Sequence, residues 1–283
     1  MSIFHIVHII PDSRLHILNG YNEVIKTLIW GLRCYGHEVS YAVNQARPDA
    51  RNLVLGANMA PQNFIDLLPD DSIIYNLEQV SGMATLPLMK ERLVALSRKF
   101  TIWDYSDVNI VGWRGLNPDC RVAHVPIAYA PALSCIPKAE EQDIDALIYG
   151  GPGESRLKIF SDLCLAGLSV VFVFGLYDKA RDDLIARSKL VLNISHSVAT
   201  VFSIVRTSYL LANRKAVIAD AKPDMIIESD LAGALKFTTL DDFVEVCRYY
   251  AQDDQARAAL EEAGFEVFSK RDIRAYLAQA LAD

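Results

Sequence analysis

The chain has 283 residues, 52% hydrophobic and 22% charged, which is enough to bury one large α/β core or two of ordinary size and excludes wholesale disorder. Its net charge of -7, from 35 acidic and 28 basic residues, argues against a protein that grips nucleic acid through a broad basic face. Five scattered cysteines (Cys34, Cys120, Cys135, Cys164, Cys247) show no metal-ligand spacing and read as reduced thiols, and no stretch reaches the roughly 18 apolar residues of a membrane span.

The opening "MSIFHIVHII" lacks a basic leader and reads as a strand rather than a signal peptide. The expected location is cytoplasmic, with room for peripheral contact at an inner membrane face. Short apolar runs then alternate with amphipathic segments. Strands are expected at Phe4–Ile10, Glu38–Val43, Leu53–Gly56, Ser72–Tyr75, Thr101–Trp103 and Val122–Val125. Helices are expected at Tyr21–Cys34, Gln62–Leu67, Leu86–Ser97 and Asp107–Trp113. In the first helix Val24, Leu28 and Leu32 share a face, and "YGHEV" supplies a glycine stop. The stretch 124–143 carries Pro126, Pro131 and Pro137 and a charged tail without a period, and reads as an interdomain connection. The rhythm then restarts. Strands are expected at Ala146–Tyr149, Val170–Phe174, Leu190–Ile194 and Ala216–Ala219, and helices at Ser155–Ala166, Lys179–Arg187, Ser203–Ala212 and Leu240–Ala251. A helical ending carries a stripe of Ile273, Tyr276, Leu277, Ala280 and Leu281. Such alternation builds parallel sheets covered by helices on both faces.

The second half opens with "IYGGPGES", a glycine-rich strand-to-helix turn. Gly150, Gly151 and Gly153 would leave backbone N–H groups open to an anion at a helix N-terminus, with Arg156 one turn in. Two nucleotide readings fail on specifics. "GGPGES" is no P-loop, and Gly175 stands where a dinucleotide fold wants its acidic ribose ligand. Asp178 comes late and reads as the cap of the next helix.

The stretch 191–220, "VLNISHSVATVFSIVRTSYLLANRKAVIAD", gives a buried strand, a polar loop with His196, then a helix whose first turn holds Phe202, Ser203 and Arg206. This order, with the first half and the terminal helix, resembles the GT-B glycosyltransferases, the group-1-like sugar-nucleotide-dependent transferases in particular. The resemblance covers nearly the full chain and rests on pattern rather than an invariant motif. It implies two Rossmann-like domains facing across a cleft: an acceptor domain at 1–130, a donor-nucleotide domain at 144–264, and a crossover helix at 265–283 returning to the first. It implies donor contacts from Gly20, Gly150, Gly151, Gly153, Arg156, Phe174, Gly175, His196, Thr200, Phe202, Ser203 and Arg206. One departure matters: the family places a glutamate near the start of that helix, and this chain has Ser203 there. A serine hydroxyl holds a sugar hydroxyl less strongly than an ionised carboxylate.

Strand ends in the first half are polar. Glu78 follows "IIYN", Asp104 follows "TIW", and His16 lies in the first loop, making three rival general bases. Arg206, a cation among apolar helix positions, should face an anion, because an unpaired buried charge is costly. No acidic pair sits at a strand end, so the expected transfer is metal-independent and needs no cofactor beyond a nucleotide-sugar co-substrate, UDP- or GDP-linked. A hydroxyl on a saccharide or small molecule is the expected acceptor, ahead of nucleic acid. A sugar-nucleotide epimerase on the same fold and a non-catalytic binding protein are the alternatives.

Overall fold

The computed structural model describes residues 2–11, 19–83, 86–195, 202, 204–222 and 225–282. It separates into two compact units, one comprising Met1–Leu18, Val24–Ala128 and Asp272–Asp283, the other Asn19–Glu23 and Tyr129–Arg271.

The first unit is built on β1 (Ile3–His8), β2 (Glu38–Val43), β3 (Arg51–Leu55), β4 (Ile73–Asn76), β5 (Thr101–Asp104) and β6 (Val122–His124), all parallel in the order β2-β1-β3-β4-β5-β6. Its central strands are apolar on both faces because helices cover both; Leu53, Val54 and Leu55 are completely buried. Those helices are α1 (Asn22–Cys34), α2 (Gln62–Leu67), α3 (Val80–Met83), α4 (Pro87–Lys99) and α5 (Asp107–Leu116). Val24, Leu28 and Leu32 of α1 are buried as the spacing predicts. Gly36, with φ at 75°, ends the helix by donating to Arg33 O while His37 donates to Leu32 O.

The second unit contains β7 (Ile144–Tyr149), α6 (Glu154–Leu165), β8 (Val170–Val173), α7 (Asp178–Arg187), β9 (Ser188–Asn193), α8 (Ile204–Ala212), β10 (Ala216–Asp220), β11 (Lys236–Thr238), α9 (Phe243–Gln252) and α10 (Asp254–Ser269). Its five parallel strands run β11-β10-β9-β7-β8. Ile148, Leu192 and Ile218 meet Ile159 of α6 and Phe243 of α9 in its core. The last helix, α11 (Ile273–Ala282), belongs to the first unit. It presses so close to α1 that a Cβ on Gly31 would lie 2.6 Å from Leu277 Cδ1.

The expected fold class, α/β with two parallel sheets, is what the chain adopts. Three local expectations need correction. The ending is two helices rather than one, because Asp272 caps the backbone of Arg274 and starts α11 afresh. The three-residue edge strand β11 and the short α3 are additions. The connection is also less free than its composition suggests. Asn213 Oδ1 accepts the N–H groups of Cys135 and Ile136, and its Nδ2 donates to Leu133 O and Tyr209 O, so the prolines are clipped onto α8. No described helix is long and apolar enough to cross a membrane.

Candidate functional site

An open parallel sheet binds ligands beyond the carboxyl ends of its strands, where successive connections leave on opposite sides. In the second unit that point lies between β7 and β9, since the chain goes from β7 to β8 on one flank and then returns to β9 on the other. The glycine turn leaves β7 there. Gly150 has φ at +122°, a backbone state that side-chain-bearing residues rarely adopt, and its N–H donates to Val173 O. Gly153 is extended at the N-cap of α6, where its lack of a side chain is not needed for conformation.

Two guanidinium groups converge on this turn. Arg156 is buried; its Nε donates to Ile194 O at 2.8 Å and its Nη1 to Gly151 O at 2.6 Å, so it spans the ends of β7 and β9. Arg206, half-buried on α8, donates to Asn193 Oδ1 at 3.2 Å and stands 5.4 Å over the Tyr149 ring. A Cβ on Gly150 would be 2.8 Å from Arg206 Nη2 and 3.2 Å from Arg156 Nη1. Among the described residues neither arginine forms a salt bridge, and Arg156 makes its hydrogen bonds to backbone carbonyls only. Burial, then the charge of Arg206, pushes Arg156 down to about 10, with Asp220 opposing. Two like charges held together at strand ends, beside the N-terminus of α6, are the arrangement an anion would require.

Arg181 in the same unit is a useful contrast. It is equally buried but is paired with Glu23 at 2.8 Å and Asp182 at 2.9 Å, over the Tyr209 ring. Its charge is spent on structure.

Beside the turn, Phe174 is 57% exposed with its ring edge 3.7 Å from the Cβ position of Gly151, and Gly175 follows with φ at +71°. Gly20 is exposed in a turn with open space around it. Phe202 is buried edge-on against Phe237, which makes it a packing residue. Asp178 is not the expected cap: the N-cap of α7 is Tyr177, and the Asp178 carboxylate accepts from Asn19 and Asn22 instead. His16, His196, Thr200 and Ser203 lie outside the described residues. Tyr149, Asn193 and Asp220 also stand at these strand ends and carry no motif in the sequence. The signal for the last two was a single polar residue closing an apolar strand, in "LVLN" and "VIAD".

In the first unit, Asp104 is completely buried and accepts from Asn76 Nδ2 (2.7 Å), Trp113 Nε1 (2.7 Å), Asn109 Nδ2 (2.9 Å) and the Ser106 N–H (2.9 Å). Burial outweighs these four donors and pushes its carboxyl up to about 6. A carboxylate with its acceptor positions filled and no route to solvent braces the ends of β4, β5 and α5, and its geometry argues against proton abstraction from a substrate. Glu78 is exposed beyond β4 on a backbone pinned by Asn76 and Asn109, which both donate to its carbonyl. Among the described residues no three His, Cys, Asp or Glu side chains converge as a metal site.

No protein-family model matches the chain. A search of curated proteins also gives no match. Solved structures do match over the whole length. HepE of Anabaena in complex with UDP and glucose superposes with a TM-score of 0.62 at 11% identity, over 98% of this chain and 99% of that one. Sucrose-phosphate synthase from Thermosynechococcus elongatus gives 0.62 at 9% identity, over 100% and 98%. The DNA-modifying β-glucosyltransferase, solved with and without uridine diphosphoglucose, gives 0.55 at 13% identity, over 99% and 97%. The chain has the GT-B fold of these glycosyltransferases.

Proposed function

We propose that the protein transfers a sugar from a nucleotide-sugar donor to a hydroxyl acceptor. The observation that carries this reading is the pair Arg156–Arg206, gathered over Gly150 at the switch point of a parallel sheet without a carboxylate partner among the described residues. A diphosphate fits that charge, and the structural relatives solved with UDP or UDP-glucose support a sugar nucleotide as its source, UDP-linked before GDP-linked.

In the reaction the acceptor oxygen forms a bond to the anomeric carbon while the bond from that carbon to the diphosphate breaks, and its electron pair leaves with the phosphate. Negative charge therefore grows on the leaving group as oxocarbenium character builds on the sugar. Arg206, Arg156 and the N–H groups of the α6 N-terminus neutralise that charge as it forms, with little reorganisation, because Arg156 is already fixed by two carbonyls. These cations make a bound metal unnecessary to the proposal. Glu78 is the proposed acceptor of the hydroxyl proton, in preference to the enclosed Asp104. The exposed Phe174 ring offers a face on which a base can stack.

Thermal unfolding with a panel of UDP- and GDP-sugars tests the donor, since a ligand bound only by the folded chain raises the melting temperature by mass action. Mass spectrometry of the products then tests the chemistry. Transfer yields a glycoside and a nucleoside diphosphate. A donor of unchanged mass means epimerisation, and no shift with any sugar nucleotide means a binding or scaffold role.

A further inference from the structure

Asp220 ends β10 with only 2% of its surface exposed. The register pairs Ala219 with Asn193 of β9, so Asp220 stands one residue past the level of the Arg206 partner, on the strand next to the switch point. Its Oδ1 accepts both the N–H and the hydroxyl of Ser195, at 2.8 and 2.9 Å. Its Oδ2 accepts no hydrogen bond from any described residue, and no described cation forms a direct salt bridge with it, although its charge reaches Arg156. The adjacent residue to Ser195, Ile194, carries the carbonyl that holds Arg156.

A buried carboxylate and two unpaired guanidinium groups therefore share the same strand ends without closing into a salt bridge. Each is costly to bury alone. Their own hydrogen bonds keep them from collapsing onto one another: Arg156 is tied to two carbonyls, Arg206 to Asn193, and Asp220 to Ser195. An arrangement that keeps cationic donors and an anionic acceptor apart fits a ligand that is itself divided, with an anionic centre flanked by hydroxyls. Phosphate oxygens take the arginines, and a carboxylate oxygen takes hydroxyl protons.

We propose that Asp220 accepts hydrogen bonds from hydroxyls of the donor, supplying the carboxylate that is missing at Ser203. This rests on the sugar-nucleotide reading and deepens it. The hydroxyls belong either to the ribose or to the transferred sugar, and both offer the same chemistry to Oδ2.

The test is calorimetric titration of the full chain and of Asp220→Asn with three probes: pyrophosphate, UDP and UDP-glucose. The carboxamide keeps an oxygen for Ser195 but loses the charge. Binding of UDP-glucose should weaken by about tenfold or more, as expected for a lost charged hydrogen bond. Pyrophosphate should bind as well or better, because a negative charge beside the arginines has gone. UDP weakening in parallel with UDP-glucose assigns the ribose; UDP unchanged assigns the sugar. Structural damage would weaken all three together, and that outcome overturns the proposal, as does an unchanged UDP-glucose affinity. Asp220→Ser, which leaves a hydroxyl beside Ser195, is the second variant should the carboxamide not fold. Wild-type protein that binds no sugar nucleotide overturns the functional reading itself, which is a different result.

Discussion

Replacing Arg206 by methionine separates a ligand arm from a structural brace. The substitution removes the hydrogen bond to Asn193, worth about 1 kcal/mol, and the contact over Tyr149, worth roughly 0.5–1 kcal/mol. It also removes a repulsion. The nitrogens of Arg206 and Arg156 nearest Gly150 lie no more than about 6 Å apart, which at an effective dielectric of about 20 gives roughly 3 kcal/mol. Solvent at the half-buried Arg206 cuts that to about 1 kcal/mol. Gain and loss nearly cancel, so the free variant should unfold in urea within about 1 kcal/mol of wild type. Arg181→Met is the control: it strands the buried Glu23 and should cost about 3–5 kcal/mol. With UDP present at about 100 times its dissociation constant, wild type should gain about 2.7 kcal/mol and Arg206→Met should lose most of that gain. An Arg206 variant as unstable as the Arg181 variant, or one that keeps the full stabilisation by UDP, refutes the reasoning.

Asp104→Asn should destabilise the protein by a few kcal/mol, because one amide oxygen replaces two carboxylate oxygens that satisfy four donors. The pH dependence has a definite sign. The folded pKa of about 6 lies above the unfolded value of 3.8, so the folded state binds the proton more tightly, and the Asp104 contribution to stability falls by about 2 kcal/mol as pH rises from 4 to 6. The stability gap between wild type and Asp104→Asn, followed by urea unfolding across that range, should narrow with rising pH; a constant gap contradicts the assignment. Gly150→Ala should lower stability by about 1–3 kcal/mol through backbone strain, and weaken UDP binding by displacing the guanidinium groups, as read by thermal unfolding and calorimetry.

The strands were legible because buried parallel strands are nearly continuous apolar runs, as in β3 and β9, while the edge strand β2 and helix α2 fall where their own patterns put them. Arg206 stood out for a related reason, as a charge amid apolar helix positions. The surroundings of Asp104 were not legible, because an aspartate closing a strand looks the same in sequence whether it faces a ligand or braces strand ends. Its partners Asn76 and Trp113 lie 28 and 9 residues away and only the fold assembles them. Helix α10 was not seen as a separate element because the face it buries includes Arg257 and Glu261, so it shows no apolar stripe. Asp220 was hidden by the same ambiguity as Asp104, with the opposite outcome: its carboxylate keeps an oxygen that no described donor fills.

The placement of the diphosphate is the measurement on which the account turns. A crystal structure of the chain with UDP should show phosphate oxygens within about 3 Å of both Arg156 and Arg206, over the Gly150 turn. A diphosphate bound away from β7 and β9, or an Arg206 side chain turned from the bound nucleotide, would contradict it.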